Sequence, residues 1–594
     1  MIGTLAVDRD LAIEAELAAT VVDALLREDY AGLAGRVRVT GAGTVLDWPG
    51  GPVLPLRPDG FLGDFAVSRQ VPLTLADLGA LLAAVAPAAD ADGVAAFGVE
   101  CQQALATLRL RDRHVGDLPP GPWTGPGGAV WYDALAAARP HPAYPTAACR
   151  LGFTDEDSLR YAPEFRPEFE LAWVAIPRAA LVTARPGRPD WWPAMTAVGL
   201  PADLAASHEL LPVHPLTARR ALAAALAEAG LASAGRDRAV LAPRRGVAVR
   251  PTLSTRTVAV TADPGVQLKL PLPVSTLGLL NRRGLVPRTL SDGALTGRIL
   301  AGLTARDPAL GGLLVADDGD FAHAGHPVLG YLRRRLPDGL GADRVVSVAA
   351  LLAPVPGAGE IMGTNGAAGQ LVLDQLAHLG WGGDPVAFFR AYLDLLFGVQ
   401  VRLFARYGIA LESHQQNLAV VAGPGPLRLL VKDFDGALIA PARLAAALGG
   451  AAVSSAAFGD QRLLTGNEDE LADVFVTITV HLCAGALAFG LARHGRGALP
   501  ELLAMVGQAL EAALDRESEA PVVGRLRARV LEAERLTGKA MLTAGTLTEK
   551  SRTGARDINK FYGPGGPNYL RTAPPGTASV GTGSLGTAPL GTAS

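Results

Sequence analysis

Residues 384–408, DPVAFFRAYLDLLFGVQVRLFARYG, place apolar side chains at helical spacing and stop at a glycine. The chain then changes period. Within ESHQQNLAVVAGPGPLRLLVKDFDG (412–436), LAVVAG and LRLLVKDF are short apolar runs separated by Gly-Pro-Gly-Pro. Such a linker breaks any helix, so the two runs are expected to pair as strands folded back on each other. A buried helix feeding a buried hairpin needs a core on both sides, which limits this region to a mixed helix–sheet domain.

Folding back brings Asn417, at the entrance of the first strand, to the same end as Asp433, at the exit of the second. An amide oxygen beside a carboxylate suits a hard cation, in particular Mg²⁺ carrying nucleotide phosphates. Asp435 can share that ion or orient its first ligand. His414 can bind an anion, assist proton transfer or cap a turn. Glu412 and Gln416 can hold substrate or fix the imidazole. Ordinary turn chemistry accounts readily for His414 alone, and less readily for the whole E-x-H-x-Q-N…K-D-x-D set.

Complementary positive charge lies upstream. PTLSTRTVAV carries Ser254, Thr255 and Arg256, and KLPLPVSTLGLLNRR carries Lys269, Arg282 and Arg283. Hydroxyls and cations on neighbouring strands can grip phosphate oxygens, and arginine can hold a carboxylate through two parallel hydrogen bonds. The competing reading for each is a solvated hairpin face. No G-x-x-x-x-G-K-[ST] occurs, so a P-loop is not available. The glycines of GTNGAAGQ (363–370) read as a loop before a helix. In HPAYPTAACRLGF (141–153) and LPVHPLTARR (211–220), proline restricts the backbone after His141 and His214, and a structural role fits each histidine as well as a chemical one.

Lys plus Arg number 54 against 57 Asp plus Glu, which leaves no electrostatic footprint for nucleic acid. The three cysteines, Cys101, Cys149 and Cys483, are too few and too scattered for a disulfide framework or a structural zinc site. The acidic N-terminus does not read as a secretory leader, no uninterrupted apolar stretch is expected to span a bilayer, and a cytoplasmic protein without stable membrane insertion is the economical expectation. Helices are expected over 9–30, from about 80 to Pro87, around 131–138, over 366–407, and again over 470–491 and 499–546. A broken segment is expected before residue 70, a β-hairpin within 246–274 at its Asp-Pro-Gly, and a low-complexity disordered tail at the end.

In order along residues 140–440, HPAYPTAACRLGF, LPVHP (211–215), STRT (254–257), KLPLPVSTLGLLNRR (269–283), ESHQQN (412–417) and VKDFDG (431–436) resemble the IucA/IucC family of siderophore synthetases, which work without a nonribosomal peptide template. The resemblance implies an α+β, three-part cupped hand. Its parts would be a helical thumb (1–140), β-rich fingers (141–365), a helical, kinase-like palm (366–550) and a C-terminal extension with tail (551–594). It also implies ATP and Mg²⁺, adenylation of a carboxylic acid such as citrate or a citryl or succinyl derivative, and attack by an amine or hydroxyl, with AMP and pyrophosphate released. A homodimer is what the family favours.

Carried over by position, Ser254, Thr255 and Arg256 resemble ATP-phosphate contacts, and Lys269 resembles a phosphate-neutralising cation. One of Arg282 and Arg283 resembles the carboxylate-binding arginine, with His414 as its partner. Glu412, Gln416 and Asn417 line the nucleotide and metal region, and Asn417, Asp433 and Asp435 resemble the magnesium ligands. Tyr144 and Ala148 stand where the family pattern has histidine and lysine. A kinase-like phosphotransferase or a catalytically silent binding protein are the alternatives on the same residues.

Overall fold

The computed structural model describes residues 2–41, 43–114, 121, 123–185, 187–233, 238–356, 369–449, 455–555 and 557–571. The long apolar run forms helix Pro385–Tyr407. Asp384 caps it by accepting from the N–H groups of Val386 (2.8 Å) and Ala387 (3.2 Å), proline occupies the first turn, and Gly408 ends it with φ 65°. Its face of Phe388, Phe389, Tyr392, Leu396 and Phe397 is buried in the largest apolar core, where it packs on helix Leu499–Arg516. The segment before it, expected as continuous helix from 366, holds only the short helix Val372–Ala377 among its described residues.

The hairpin forms as read. Strands Leu418–Ala422 and Arg428–Val431 pair antiparallel, with Leu418 opposite Val431. They are the centre of a four-stranded sheet, flanked by Arg344–Ser347 (antiparallel) and Leu313–Val315 (parallel). Both flanking strands come from before residue 365, so this sheet is woven across the expected fingers–palm limit. The described part of GTNGAAGQ is confined to its last two residues; the rest lies outside the described chain.

Upstream, nine strands make one antiparallel sheet in the order Val182–Thr183, Asp317–His323, Gly330–Arg335, Asp263–Lys269, Thr257–Val260, Gly246–Pro251, Phe169–Pro177 and His208–Val213, with Val240–Leu241 added to Phe169–Pro177. The hairpin expected in 246–274 is present, but its turn precedes the Asp-Pro-Gly, which opens the returning strand beside a bulge. This strand is interior to the sheet and ends at Lys269, whose ammonium reaches the hairpin's Asp433.

The N-terminal part opens on helix Ile2–Arg27, followed by a four-stranded meander (Val37–Thr40, Gly43–Leu46, Leu54–Pro58, Phe65–Val67) and helices Leu75–Val85 and Ala91–His114. The meander falls in the segment expected to be broken, because its strands are short and Val37–Thr40 is mostly exposed, so no alternation shows. In the C-terminal part, helix was expected through 546. The chain instead leaves helix after Val522–Arg527 and a short wider-pitched turn, and Arg535–Lys539 pairs as a strand with Tyr562–Pro567. That partner lies beyond residue 551, so the pairing is non-local and local propensity does not reveal it. The low-complexity tail from 572 lies outside the described residues.

Helix Glu468–Arg493 is long and apolar enough to cross a membrane, contrary to the expectation that no segment would be, and 89% of its most apolar window is buried inside the protein. His481 on this helix and His214 before helix Pro215–Arg220 are both buried. His481 bonds the Tyr569 hydroxyl and the Thr537 carbonyl, each at 2.9 Å, and His214 Nδ1 accepts from the Leu216 N–H at 3.1 Å. Burial pushes His214 down to about 3 and His481 to about 4, from an ordinary 6.5. The unfolded chain therefore takes up protons that the folded chain refuses. Stability present above about pH 6.5 is lost as pH falls towards 4, by about 1.4 kcal/mol per pH unit for each such histidine. The urea midpoint is expected to fall steadily from pH 6.5 to 4.5; a constant midpoint would contradict the buried, neutral assignment.

Candidate active site

The two sheets meet at Lys269. The residue is 1% exposed, and its ammonium donates to Asp433 Oδ1 at 2.5 Å and to Asp435 Oδ2 at 3.0 Å. A buried ammonium is costly without such partners. Asp433 is backed by a second buried cation: Arg334 makes two 2.6 Å bonds to Asp318, and its Nη2 lies 3.4 Å from Asp433 Oδ1. Asp318 also accepts from the Asp433 N–H at 3.3 Å. Burial acts to raise the Asp433 carboxyl, but Lys269, then Arg334 and Arg256, hold it well below the usual carboxylate range. The residue sits at φ 68°, a left-handed conformation that Asp tolerates better than most side chains.

Asn417 is at the same hairpin end as Asp433, its carbonyl accepting from the Lys432 N–H at 3.1 Å. Its Nδ2 reaches the Glu412 carbonyl at 3.3 Å and His414 Nε2 at 3.4 Å, while its Oδ1 is buried with no hydrogen-bond partner. An orphaned amide oxygen is an open acceptor. Among the described residues no group of three or more His, Cys, Asp and Glu is arranged to hold a metal ion. Asn417 with Asp433 therefore offers a two-donor site, which fits Mg²⁺ only where phosphate oxygens and water complete its shell.

His414 is half-buried and its Nδ1 accepts from the Gln416 N–H at 3.4 Å. Burial, then the charge of Lys539, pushes its pKa down to about 3, so it is neutral at working pH. Arg283 also bears on it. Burial and then Arg256 lower the Arg283 guanidinium to about 9, with Asp433 and Asp435 acting in the opposite sense. Arg283 thus faces the cluster, whereas Arg282 is exposed. Gln416 stands half-buried beside the imidazole, and Glu412 packs against the backbone of Gly436, where a Cβ would run into its Oε2.

Ser254, Thr255 and Arg256 form the turn between strands Gly246–Pro251 and Thr257–Val260. The Ser254 hydroxyl meets Thr257 Oγ1 at 3.2 Å. Thr255, at φ 64°, is buried, and its hydroxyl accepts from Arg150 Nε at 3.2 Å, while Arg150 clamps Glu164 with two 2.8 Å bonds. The Thr255 side chain thus anchors the turn. Arg256 Nη1 donates to the Gly284 carbonyl at 2.6 Å, and its buried Nε has no hydrogen-bond partner.

The His-Pro elements serve local structure: His141 Nδ1 accepts from the N–H groups of Ala143 and Tyr144, as His214 does from Leu216. Tyr144 is fully buried and donates to Glu100 at 2.8 Å. Three participants escaped the sequence reading. Arg334 and Asp318 sit in YLRRRLP and DDGD, where only strand alternation across the hairpin distinguishes the inward arginine from its neighbours. Lys539 arrives from the non-local C-terminal strand pair.

The fold is α+β with the IucA/IucC-type synthetase architecture. Petrobactin biosynthesis protein AsbB from Bacillus anthracis str. Sterne superposes with a TM-score of 0.73 at 15% identity, covering 95% of this chain and 96% of that one. ATP-bound aerobactin synthetase IucA from Klebsiella pneumoniae gives 0.67 at 16%, covering 95% and 100%. The family described as IucA / IucC matches residues 134–353, and one described as ferric iron reductase FhuF-like transporter matches residues 386–555. The chain thus has the fold of these synthetases, and its residues 134–353 carry the match to the IucA / IucC family.

Rhizobactin siderophore biosynthesis protein RhbC of Rhizobium meliloti is 30% identical over 333 residues, 50% of this chain and 52% of that protein. Aerobactin synthase of Escherichia coli is 26% identical over 332 residues, 50% and 53%. The chain thus spans about half the length of the curated relatives it matches.

Proposed function

We propose that the chain is an ATP-dependent ligase that adenylates a carboxylic acid, such as citrate or a citryl or succinyl derivative, and joins it to an amine or hydroxyl, releasing AMP and pyrophosphate. The observation that carries this is the junction itself. Lys269, Arg334, Arg256 and Arg283 converge on Asp433, and the unpartnered Asn417 Oδ1 is at the same hairpin end. Two anions must be brought together in such a reaction, and fixed cations oppose their repulsion without reorganising as charge develops. Asn417 and Asp433 would hold Mg²⁺, which when bound supplies further charge neutralisation on the phosphates.

Within this reading Lys269 moves between the two carboxylates and the phosphate oxygens, and Arg256 adds charge from the anchored turn. Arg283 holds the acid's carboxylate, and neutral His414 accepts or donates a hydrogen bond to it without adding charge. The reading includes small-molecule substrates, a cytoplasmic setting and a homodimer. A pyrophosphate-release screen of citrate, citryl monoamides, succinyl hydroxamates and 2-oxoglutarate against a panel of amines, with product masses, tests it. A condensed product with AMP is expected; ADP as the nucleotide product would instead indicate phosphotransfer.

The arginine assignment gives a sharper expectation. Arg283→Gln should raise the KM for the acid at least about tenfold through loss of a charge-assisted pair. Arg282→Gln should change it less than about twofold, because an exposed charge contributes little. The reverse order in steady-state kinetics would move the acid's binding place.

A further inference from the structure

Arg283 ends a narrow loop that folds back on itself: its N–H donates to the Val274 carbonyl and its own carbonyl accepts from the Leu272 N–H, each at 3.0 Å. At the tip, Leu277 sits at φ 55° and Gly278 at φ 111°. A leucine in the left-handed region is held there only by its surroundings. Two staples supply them. On one side, Ser275 and Leu151 exchange both backbone hydrogen bonds, at 2.9 and 3.1 Å. On the other, the tip rests on the turn Thr543–Leu547, so closely that a Cβ on Gly278 would lie 2.9 Å from the Gly545 backbone. The Leu280 N–H donates to the Gly545 carbonyl and the Leu279 N–H to the Thr546 hydroxyl, each at 3.0 Å. Both staples trace back to one carboxylate. Glu100, on helix Ala91–His114 and 1% exposed, accepts at Oε2 from the Thr546 hydroxyl at 2.8 Å. Its Oε1 accepts from the hydroxyls of Tyr144 (2.8 Å) and Thr146 (2.6 Å), in the segment that runs on to Leu151. Burial pushes the Glu100 carboxyl up, and the hydroxyls of Thr146, Thr546 and Tyr144 pull the other way. A carboxylate taken out of water gains little net stability from neutral donors, so what its three bonds fix is position.

We propose that Glu100 and Thr546 are positioning residues for Arg283: the chain of bonds from the Glu100 carboxylate through the Thr546 hydroxyl to the Leu279 N–H holds the loop in the one conformation that turns Arg283 inward. This deepens the ligase reading and rests on it for what Arg283 holds. The direction of the chain is fixed. A backbone N–H can only donate, so the Thr546 oxygen accepts from Leu279 and its proton is left for Glu100. The turn that carries Thr546 is itself pinned, because Glu28 accepts from the N–H groups of Leu542 (3.0 Å) and Thr543 (2.9 Å). The Ser254–Arg256 turn is anchored separately, through Thr255, Arg150 and Glu164. Loosening the Glu100–Thr546 chain therefore displaces the acid's arginine and leaves the nucleotide's turn in place.

Two readouts on the full chain test the proposal. In steady-state kinetics with the acid that turns over fastest in the pyrophosphate-release screen, Thr546→Val should raise the KM for the acid at least about fivefold and change the KM for ATP less than about twofold. Thr546→Ser, which keeps the hydroxyl, should restore the acid KM to within about twofold. In an Arg283→Gln background, Thr546→Val should add less than about twofold, because two residues acting through one contact are not additive. Hydrogen exchange read by mass spectrometry needs no substrate: Thr546→Val should speed exchange in peptides covering 275–283 at least about fivefold and leave strand Asp263–Lys269 unchanged. If Thr546→Val does not fold, Glu100→Gln replaces it. The glutamine keeps an acceptor for Tyr144 and Thr146 but turns an amide N–H towards Thr546, and the same split is expected at about threefold. An unchanged exchange rate, an equal rise in both KM values, or a full additional effect of Thr546→Val on top of Arg283→Gln would overturn the proposal. Failure of every acid to support ATP consumption would overturn the ligase reading, and the exchange result alone would then decide whether the loop is held by Thr546.

Discussion

Asp433→Asn is expected to lower acid-dependent ATP turnover at least about tenfold while the chain still folds. Asparagine keeps the side-chain shape and tolerates the left-handed backbone at φ 68°, whereas alanine there would add about 1–2 kcal/mol of strain. What the substitution removes is the charge against which Lys269 and Arg334 are set. The stability loss should stay below the ~3–5 kcal/mol of a fully broken buried pair, because Asp435 Oδ2 remains 3.0 Å from the ammonium and Asp318 still holds Arg334. A small shift in the thermal midpoint with a large loss of turnover is the expected pattern. Turnover close to that of the unaltered chain would remove Asp433 from the chemistry.

Lys269→Met should have an effect of about 10²–10³ on kcat, the range seen when one preorganised charge-stabilising donor is lost. Methionine fills the space of the lysine stem, so packing is retained. The substitution also removes the principal of the three cations that hold the Asp433 carboxyl low, so the carboxyl should titrate higher than in the unaltered chain. An acid limb should therefore appear in the pH–rate profile at higher pH than in the unaltered chain, where Asp433 stays ionised throughout the neutral range. An unshifted profile with a normal rate would show that the 2.5 Å contact serves structure alone.

The helix Pro385–Tyr407 and its hairpin were legible because their signals are local: a cap, a glycine stop, two apolar runs and a Gly-Pro linker. The hairpin's polar ends were legible as a constellation for the same reason, since pairing alone brings Asn417 towards Asp433. The cations were legible as residue types but not as partners. Lys269 and Asp433 are far apart in sequence, and only the meeting of two sheets joins them. The choice between Arg282 and Arg283 depends on which side of an irregular turn faces inward, and periodicity carries no information there. The inward Arg334 is hidden in a run of three arginines, and its partner Asp318 in a run of acids. The strand at Arg535–Lys539 and the N-terminal meander went unread because short strands take their identity from distant partners.

The central claim is that a carboxylate oxygen attacks the α-phosphate of ATP. An acid labelled with ¹⁸O in its carboxylate, incubated with ATP, Mg²⁺ and a competent amine, puts that claim to a direct test by mass spectrometry of the nucleotide product. Attack on the α-phosphate followed by aminolysis at the carbonyl leaves one labelled oxygen in AMP, with unlabelled pyrophosphate, and this is the predicted result. Unlabelled AMP, or ADP in place of AMP, would contradict the account.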